Sequence, residues 1–280
     1  MKTLSRSKIR LLAGLVLLLI YSCSTRVLPL YSNQKSDGKP AAKEKWQLVF
    51  ADDFTSNGDF DTSKWSYALR STPAWTKYLT SSPRYVRQQS GKLILRMDNQ
   101  QIPGDDVPYH SAGIQTKGKF SFTYGKVEVR ARFKEGRGAW PAIWMMPEDP
   151  TAYWGWPHSG EIDIMEHVNL ESQVHQTIHS GSNTSADGGS AATSSGTYKA
   201  GKFNTYSIVW DEAKIEFYVN KQLRYTYHKE ADGGSAQWPF NQPFYLILNQ
   251  SGGAGWPGAI TDTDLPFEME VDYVKVYQKR

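Results

Sequence analysis

Short runs in which apolar and polar residues alternate recur along most of this chain, and no long amphipathic helical pattern separates them. The clearest runs lie at 46–54, 92–97, 113–116, 125–133, 206–210, 214–219, 244–249 and 270–277. A period of two places the apolar residues on one face of a strand and the polar ones on the other. Turn-forming residues stand between the runs, and Asn220-Lys221, between Val219 and Leu223, reads as a tight hairpin. There is no internal repeat. Many strands without alternating helices predict an all-β domain, a sandwich or a barrel, and 280 residues suffice for one such domain.

One strand stands apart. Residues 161–166 read Glu-Ile-Asp-Ile-Met-Glu, three carboxylates interleaved with apolar side chains. Acids set side by side repel one another, so their clustering points to chemistry that uses two or three carboxyls together. Glu161 and Asp163 share a face. Glu166 would point the other way in a regular strand, and one extra residue, a β-bulge at Ile164 or Met165, restores the parity. Two pleats then separate the outer glutamates by about 6.5–7 Å. Side-chain tilt brings that towards the ~5–5.5 Å of a retaining glycosidase pair, whereas inverting pairs stand about 6.5–9.5 Å apart. In such a pair one carboxyl must be ionised and the other protonated. Repulsion between Glu161 and Glu166 raises one pKa, and Asp163 can hold a shared proton.

The stretch 161–166 resembles the active-site strand of glycoside hydrolase family 16 in its bulged, laminarinase-like branch; the other branch lacks the extra residue. Three further segments agree: Gly-Ala-Trp-Pro-Ala-Ile-Trp-Met-Met at 138–146, Val-His-Gln-Thr-Ile-His at 174–179 and Val-Asp-Tyr-Val-Lys-Val-Tyr-Gln at 271–278. The likeness runs from about Trp46 to Gln278. It implies a β-jelly-roll sandwich with a concave substrate cleft. It also implies that Glu161 is the nucleophile, Glu166 the general acid/base and Asp163 the acid that tunes them, with no cofactor needed for catalysis. Asp272, in the last strand, resembles the side-chain ligand of a structural calcium site found in many family members, which leaves a bound Ca2+ an open expectation.

The binding residues follow from type and place. Trp140 and Trp144, with Pro141 between them and Trp156-Pro157 nearby, suggest fixed platforms; the core is the alternative for Trp144. Trp256 sits in a Gly-Trp-Pro-Gly turn that cannot easily bury it. His175 and His179 alternate with Val174, Gln176 and Ile178, so they share one strand face. No third metal ligand has suitable spacing, and His179 is expected to hydrogen-bond in the cleft near the acids. Asn249 and Gln250 end an apolar strand and are expected to reach sugar hydroxyls, although Asn249 could equally satisfy the sheet end. Residues 184–201, rich in Ser, Gly and Ala, are expected to form an exposed loop at one end of the cleft. Residues 70–87 are expected to shape its non-reducing side by the same resemblance.

Lys2, Arg6, Lys8 and Arg10 precede an apolar segment at 11–20 that is too short to span a bilayer comfortably. With Cys23 just beyond, residues 1–22 resemble a bacterial lipoprotein signal, and Cys23 is the one cysteine of the chain. The expectation is lipidation at Cys23, a flexible tether over 23–45 and a catalytic domain over 46–280. That places the protein in the bacterial cell envelope, at the outer membrane, the cell surface or the periplasmic face. A plain secretory signal is the alternative. A net charge of +4 with 21% charged residues gives no sign of a nucleic-acid partner. The 10 Trp and 16 Tyr suit stacking on sugar rings, and a monomer is expected.

These residues lead first to an endo-acting retaining β-glycanase cutting β-1,3 or β-1,4 glucosidic bonds of β-1,3- or mixed-linkage glucans. An endo-β-galactosidase acting on mucin-type O-glycans is the alternative on the same scaffold. A non-catalytic glycan-binding lipoprotein is the alternative from another class.

Overall fold

The computed structural model describes residues 45–183 and 192–280. The signal segment, Cys23 and the tether up to residue 44 lie outside them. Residues Glu44–Arg280 form one compact unit. Its strands, in chain order, are β1 (Trp46–Asp52), β2 (Ser66–Tyr67), β3 (Val86–Gln88), β4 (Leu93–Met97), β5 (Ala112–Gln115), β6 (Gly125–Phe133), β7 (Ala139–Pro147), β8 (Glu161–Glu166), β9 (Gln173–His179), β10 (Ala192–Thr197), β11 (Asn204–Trp210), β12 (Lys214–Val219), β13 (Gln222–His228), β14 (Phe244–Gly252) and β15 (Phe267–Lys279).

Alternation in the sequence becomes alternation of burial. In β6, Val127, Val129, Ala131 and Phe133 are buried, while Lys126, Glu128, Arg130 and Arg132 stay half-exposed. One antiparallel sheet has the order β13-β12-β11-β6-β15-β4-β3, with β1 also on β15; the other has the order β10-β9-β8-β7-β14-β5-β2. Inward side chains of both sheets meet in one core, among them Val129, Trp210 and Phe217 from the first and Ile143, Ile162 and Leu248 from the second. This is the all-β class that the alternation predicts, in the jelly-roll sandwich form that the resemblance implies. The Asn220-Lys221 hairpin is present, with both residues at positive φ (51° and 66°) as a primed turn requires.

Strand β14 breaks the alternation because both of its faces are covered. Phe244, Leu246 and Leu248 enter the core between the sheets, whereas Tyr245, Ile247 and Asn249 floor a cleft on the opposite face. The expectation of a plain loop over 184–201 is corrected in part. Residues 192–197 form the edge strand β10, paired with β9 from Ala192–Ile178 to Thr197–Gln173. Its Thr193, Ser195 and Thr197 side chains are at the surface and its buried residue is Gly196, so no apolar period announces it.

Candidate active site

Strand β8 carries the bulge expected of it. Asp163 lies opposite Trp144 and Thr177, and Glu166 lies opposite Ala142 and His175. Met165 faces Ile143, which leaves Ile164 as the extra residue. Ile164 and Met165 are both buried in the core, and the parity flips between them. Glu161, Asp163 and Glu166 therefore line one cavity together. The turn before β8 fixes its entry. Gly160 has φ +88°, and a Cβ there would meet Phe240 and Pro239 at 2.9 Å, so only glycine fits.

Each outer carboxylate is held by a different indole. Trp140 Nε1 donates to Glu166 Oε1 at 2.9 Å, and Trp156 Nε1 donates to Glu161 Oε2 at 2.7 Å. His179 Nε2 lies 3.1 Å from Asp163 Oδ2 and 3.8 Å from Glu161 Oε1. Asp163 is almost fully buried. All three carboxyls are pushed above their usual range. For Glu161 the cause is burial first and then the Asp163 charge, against which His179 and the Trp156 N–H pull down. For Asp163 it is burial and then the Glu166 charge. For Glu166 it is burial, opposed by the Trp140 N–H and the two histidines, His179 and His175. Three buried acids so placed resist being ionised together, so protons are shared among them, as a site that uses one carboxylate beside one carboxylic acid requires.

The cavity measures about 600 Å3 and runs from β8 across β7 and β14 to Trp75. Its floor is tied together by Asn249. Asn249 Oδ1 accepts from Trp144 Nε1 at 2.8 Å, and its Nδ2 donates to Ser251 Oγ (3.1 Å) and to the Trp140 carbonyl (3.3 Å). Ser251 in turn donates to the Trp75 carbonyl at 2.7 Å, and the Trp75 ring meets Trp144 edge-on at 4.8 Å. Trp144 thus lines the cleft and is nonetheless largely buried. Trp256 is half-exposed and packs edge-on against His175 at 4.9 Å and Trp140 at 6.3 Å.

Two expected site residues are corrected. Gln250 faces the interior with Leu248 rather than the cleft; it is fully buried, and its Nε2 donates to the Ser251 carbonyl at 3.1 Å. Two adjacent residues of a strand cannot both face the cleft, and Asn249 does. Asp272 is the extra residue of a bulge in β15, between Val271 and Tyr273. Its Oδ1 faces Lys92 Nζ at 3.2 Å and its Oδ2 faces Arg130 Nη1. A carboxylate already committed to two cations is a poor calcium ligand, so the residues present do not fit a Ca2+ ion there. In the cleft, Glu161, Asp163 and His179 bring one ligand atom each within 4.8 Å of one another, a closeness already explained by their mutual contacts.

Several cleft residues escaped the sequence reading of the site. Tyr245 and Met146 line the cavity, and the parity of Asn249 along β14 would have pointed to Tyr245. Trp156 was recognised as a platform but not as the partner of Glu161. Outside the cavity lining, Glu171, whose Oε2 pairs with His175 Nε2, follows from no local pattern because it lies in the turn before β9.

Comparison with known proteins agrees with this geometry. The profile of the glycosyl hydrolases family 16 matches residues 75–275. A keratan-sulfate endo-1,4-beta-galactosidase of Sphingobacterium multivorum is 59% identical over 237 residues, which are 85% of this chain and 56% of that protein. The chain thus spans little more than half the length of that relative. The laminarinase structure from Rhodothermus marinus superimposes with a TM-score of 0.79 at 34% identity, covering 85% of this chain and all of that one. A structure of the endo-acting O-glycanases that prominent members of the human gut microbiota express to initiate mucin breakdown gives a TM-score of 0.73 at 33% identity, covering 82% and 98%.

Proposed function

The chain belongs to glycosyl hydrolases family 16, and from that membership we propose that it is an endo-acting, retaining β-glycanase. The observation that carries this reading is the bulge at Ile164, which brings Glu161, Asp163 and Glu166 into one cleft. Glu161 is the nucleophile. With Oε2 held by the Trp156 indole, its other oxygen is left to attack the anomeric carbon. Glu166 is the acid. With Oε1 held by Trp140, its Oε2 protonates the departing glycosidic oxygen. Asp163 and His179 share the charge beside Glu161. Once the glycosyl ester has formed, Glu166 has lost its proton and takes one from water, which releases the sugar with its β configuration retained.

Among the two substrate classes that the residues allow, the 59% identity to the keratan-sulfate galactosidase favours a β-1,4-galactosidic bond in a galactose-containing glycan, such as keratan sulfate or a mucin-type O-glycan. The likeness to the Rhodothermus laminarinase supports the second reading, an internal β-1,3 or β-1,4 glucosidic bond of a glucan. Incubation with keratan sulfate, porcine mucin, laminarin and barley glucan, followed by thin-layer analysis, separates the two. Oligosaccharides from keratan sulfate or mucin are expected. Products from the glucans alone would move the assignment to the glucanase class, and no product from any would leave a glycan-binding protein. We also propose lipidation at Cys23 in a bacterial envelope; palmitate labelling is expected to disappear in Cys23→Ala.

A further inference from the structure

The most exposed large apolar side chain among the described residues is Trp154, at 90%; the next, Leu69, reaches 66%. Its exposure is not that of a loose loop tip. Tyr153 and Trp154 both occupy the left-handed region (φ 52° and 73°), an unfavourable conformation for residues with a Cβ. The segment is pinned in that shape. Asp149 Oδ1 accepts from Thr151 N (2.9 Å) and Oγ1 (2.7 Å), Gly155 N donates to the Ala152 carbonyl (3.1 Å), and Tyr153 OH donates to Asn241 Oδ1 (2.7 Å). One edge of the indole meets His158 at 6.3 Å. The remainder faces solvent. Strained backbone of this kind clusters at active sites and ligand clamps.

What it would bind is set by its neighbour. Two residues of chain reach at most about 7 Å, and two residues on from Trp154 stands Trp156, which lines the cleft and holds Glu161. The cleft takes sugar rings in the function proposed above, on which this step rests. We propose that Trp154 is an outlying sugar-binding platform at the rim of the cleft beside Glu161, stacking on a pyranose ring of the same glycan remote from the bond that is cut. A fixed indole offers a large flat face at little cost in side-chain freedom.

The test compares wild type with Trp154→Ala, Trp154→Phe and, as a control on the far sheet, Leu223→Ala. The readout is the ratio of kcat/KM for the polymer, keratan sulfate or laminarin, to that for the shortest oligosaccharide cleaved. Trp154→Ala is expected to lower that ratio about 3- to 10-fold, the scale of one lost aromatic stacking contact, through KM rather than kcat. Trp154→Phe should recover most of it and Leu223→Ala should leave it unchanged. The platform is overturned by an unchanged ratio, by a loss equal on long and short substrates, or by Trp154→Phe behaving like Trp154→Ala. A second arm is independent of turnover: Glu161→Gln and Glu161→Gln/Trp154→Ala are run through gels containing either polymer. Retardation that weakens without Trp154 supports the platform even where wild type cuts neither polymer, a result that would remove the catalytic reading alone. Equal retardation, or none in either gel, overturns the platform.

Discussion

Glu161 and Glu166 each accept a hydrogen bond from a tryptophan indole, Trp156 for the first and Trp140 for the second. Each indole N–H favours the ionised form of the carboxylate it touches. Trp140→Phe therefore raises the Glu166 pKa further, and the alkaline limb of the pH–kcat/KM profile is expected to move up by about one pH unit, the scale of one charge-assisted hydrogen bond. Trp156→Phe raises the Glu161 pKa, and the acid limb is the one expected to move up. Glu161→Gln should cut kcat by about 10⁴-fold while substrate is still bound. The same variant also bears on stability. Carboxyls whose folded pKa lies above the unfolded value favour the fold at acid pH and lose that favour as pH rises through the folded pKa. Glu161→Gln should thus melt higher than wild type at neutral pH, with the gap closing below the ordinary carboxylate range; a lower melting point at neutral pH would contradict the account. The three acids were legible from residues 161–166 because their chemistry is local. The two indole partners were not, because a hydrogen bond across a turn or between strands has no period to read.

The bulge makes a prediction at the level of the strand. Removing Ile164 deletes the unpaired residue and leaves Glu166 opposite Ala142 and His175. That deletion is expected to retain measurable activity at a stability cost of about 2–5 kcal/mol, the usual loss for a large buried aliphatic. Removing Ile162 instead turns Glu161 towards the core and should abolish turnover. Comparable activity of the two deletions, measured on the same substrate, would show that the bulge does not set the face. Strand parity explains what was and was not readable elsewhere. β6 alternates cleanly and was foreseen. β14, covered on both faces, reads as a simple apolar run, and such a run does not separate the cleft-facing Asn249 from the inward Gln250. β10, short and built from Ser, Thr and Gly, read as a loop.

In the whole molecule, one sheet supplies the cleft and the other backs it with a core and a charged outer face. Asp272 belongs to that outer face, where Lys92 and Arg130 neutralise it and hold it below the usual carboxylate range, against the burial that alone would raise it. EDTA is accordingly expected to leave Tm unchanged, and Asp272→Asn to lower it by leaving two cations facing each other; a fall in Tm with EDTA that Ca2+ reverses would restore the metal. The all-β class is legible from alternation and turns, since both record which face of each strand is buried, and the jelly roll from the family resemblance. Substrate choice was not, because it rests on side chains such as Trp75, Trp140, Tyr245 and Trp256, brought together from distant segments. The central claim is that Glu161 attacks and Glu166 protonates across one face of β8. It is tested most directly by proton NMR of the first product formed from a keratan sulfate or laminarin oligosaccharide. The account predicts that the new reducing end appears as the β anomer and only later mutarotates; an α anomer appearing first would contradict it.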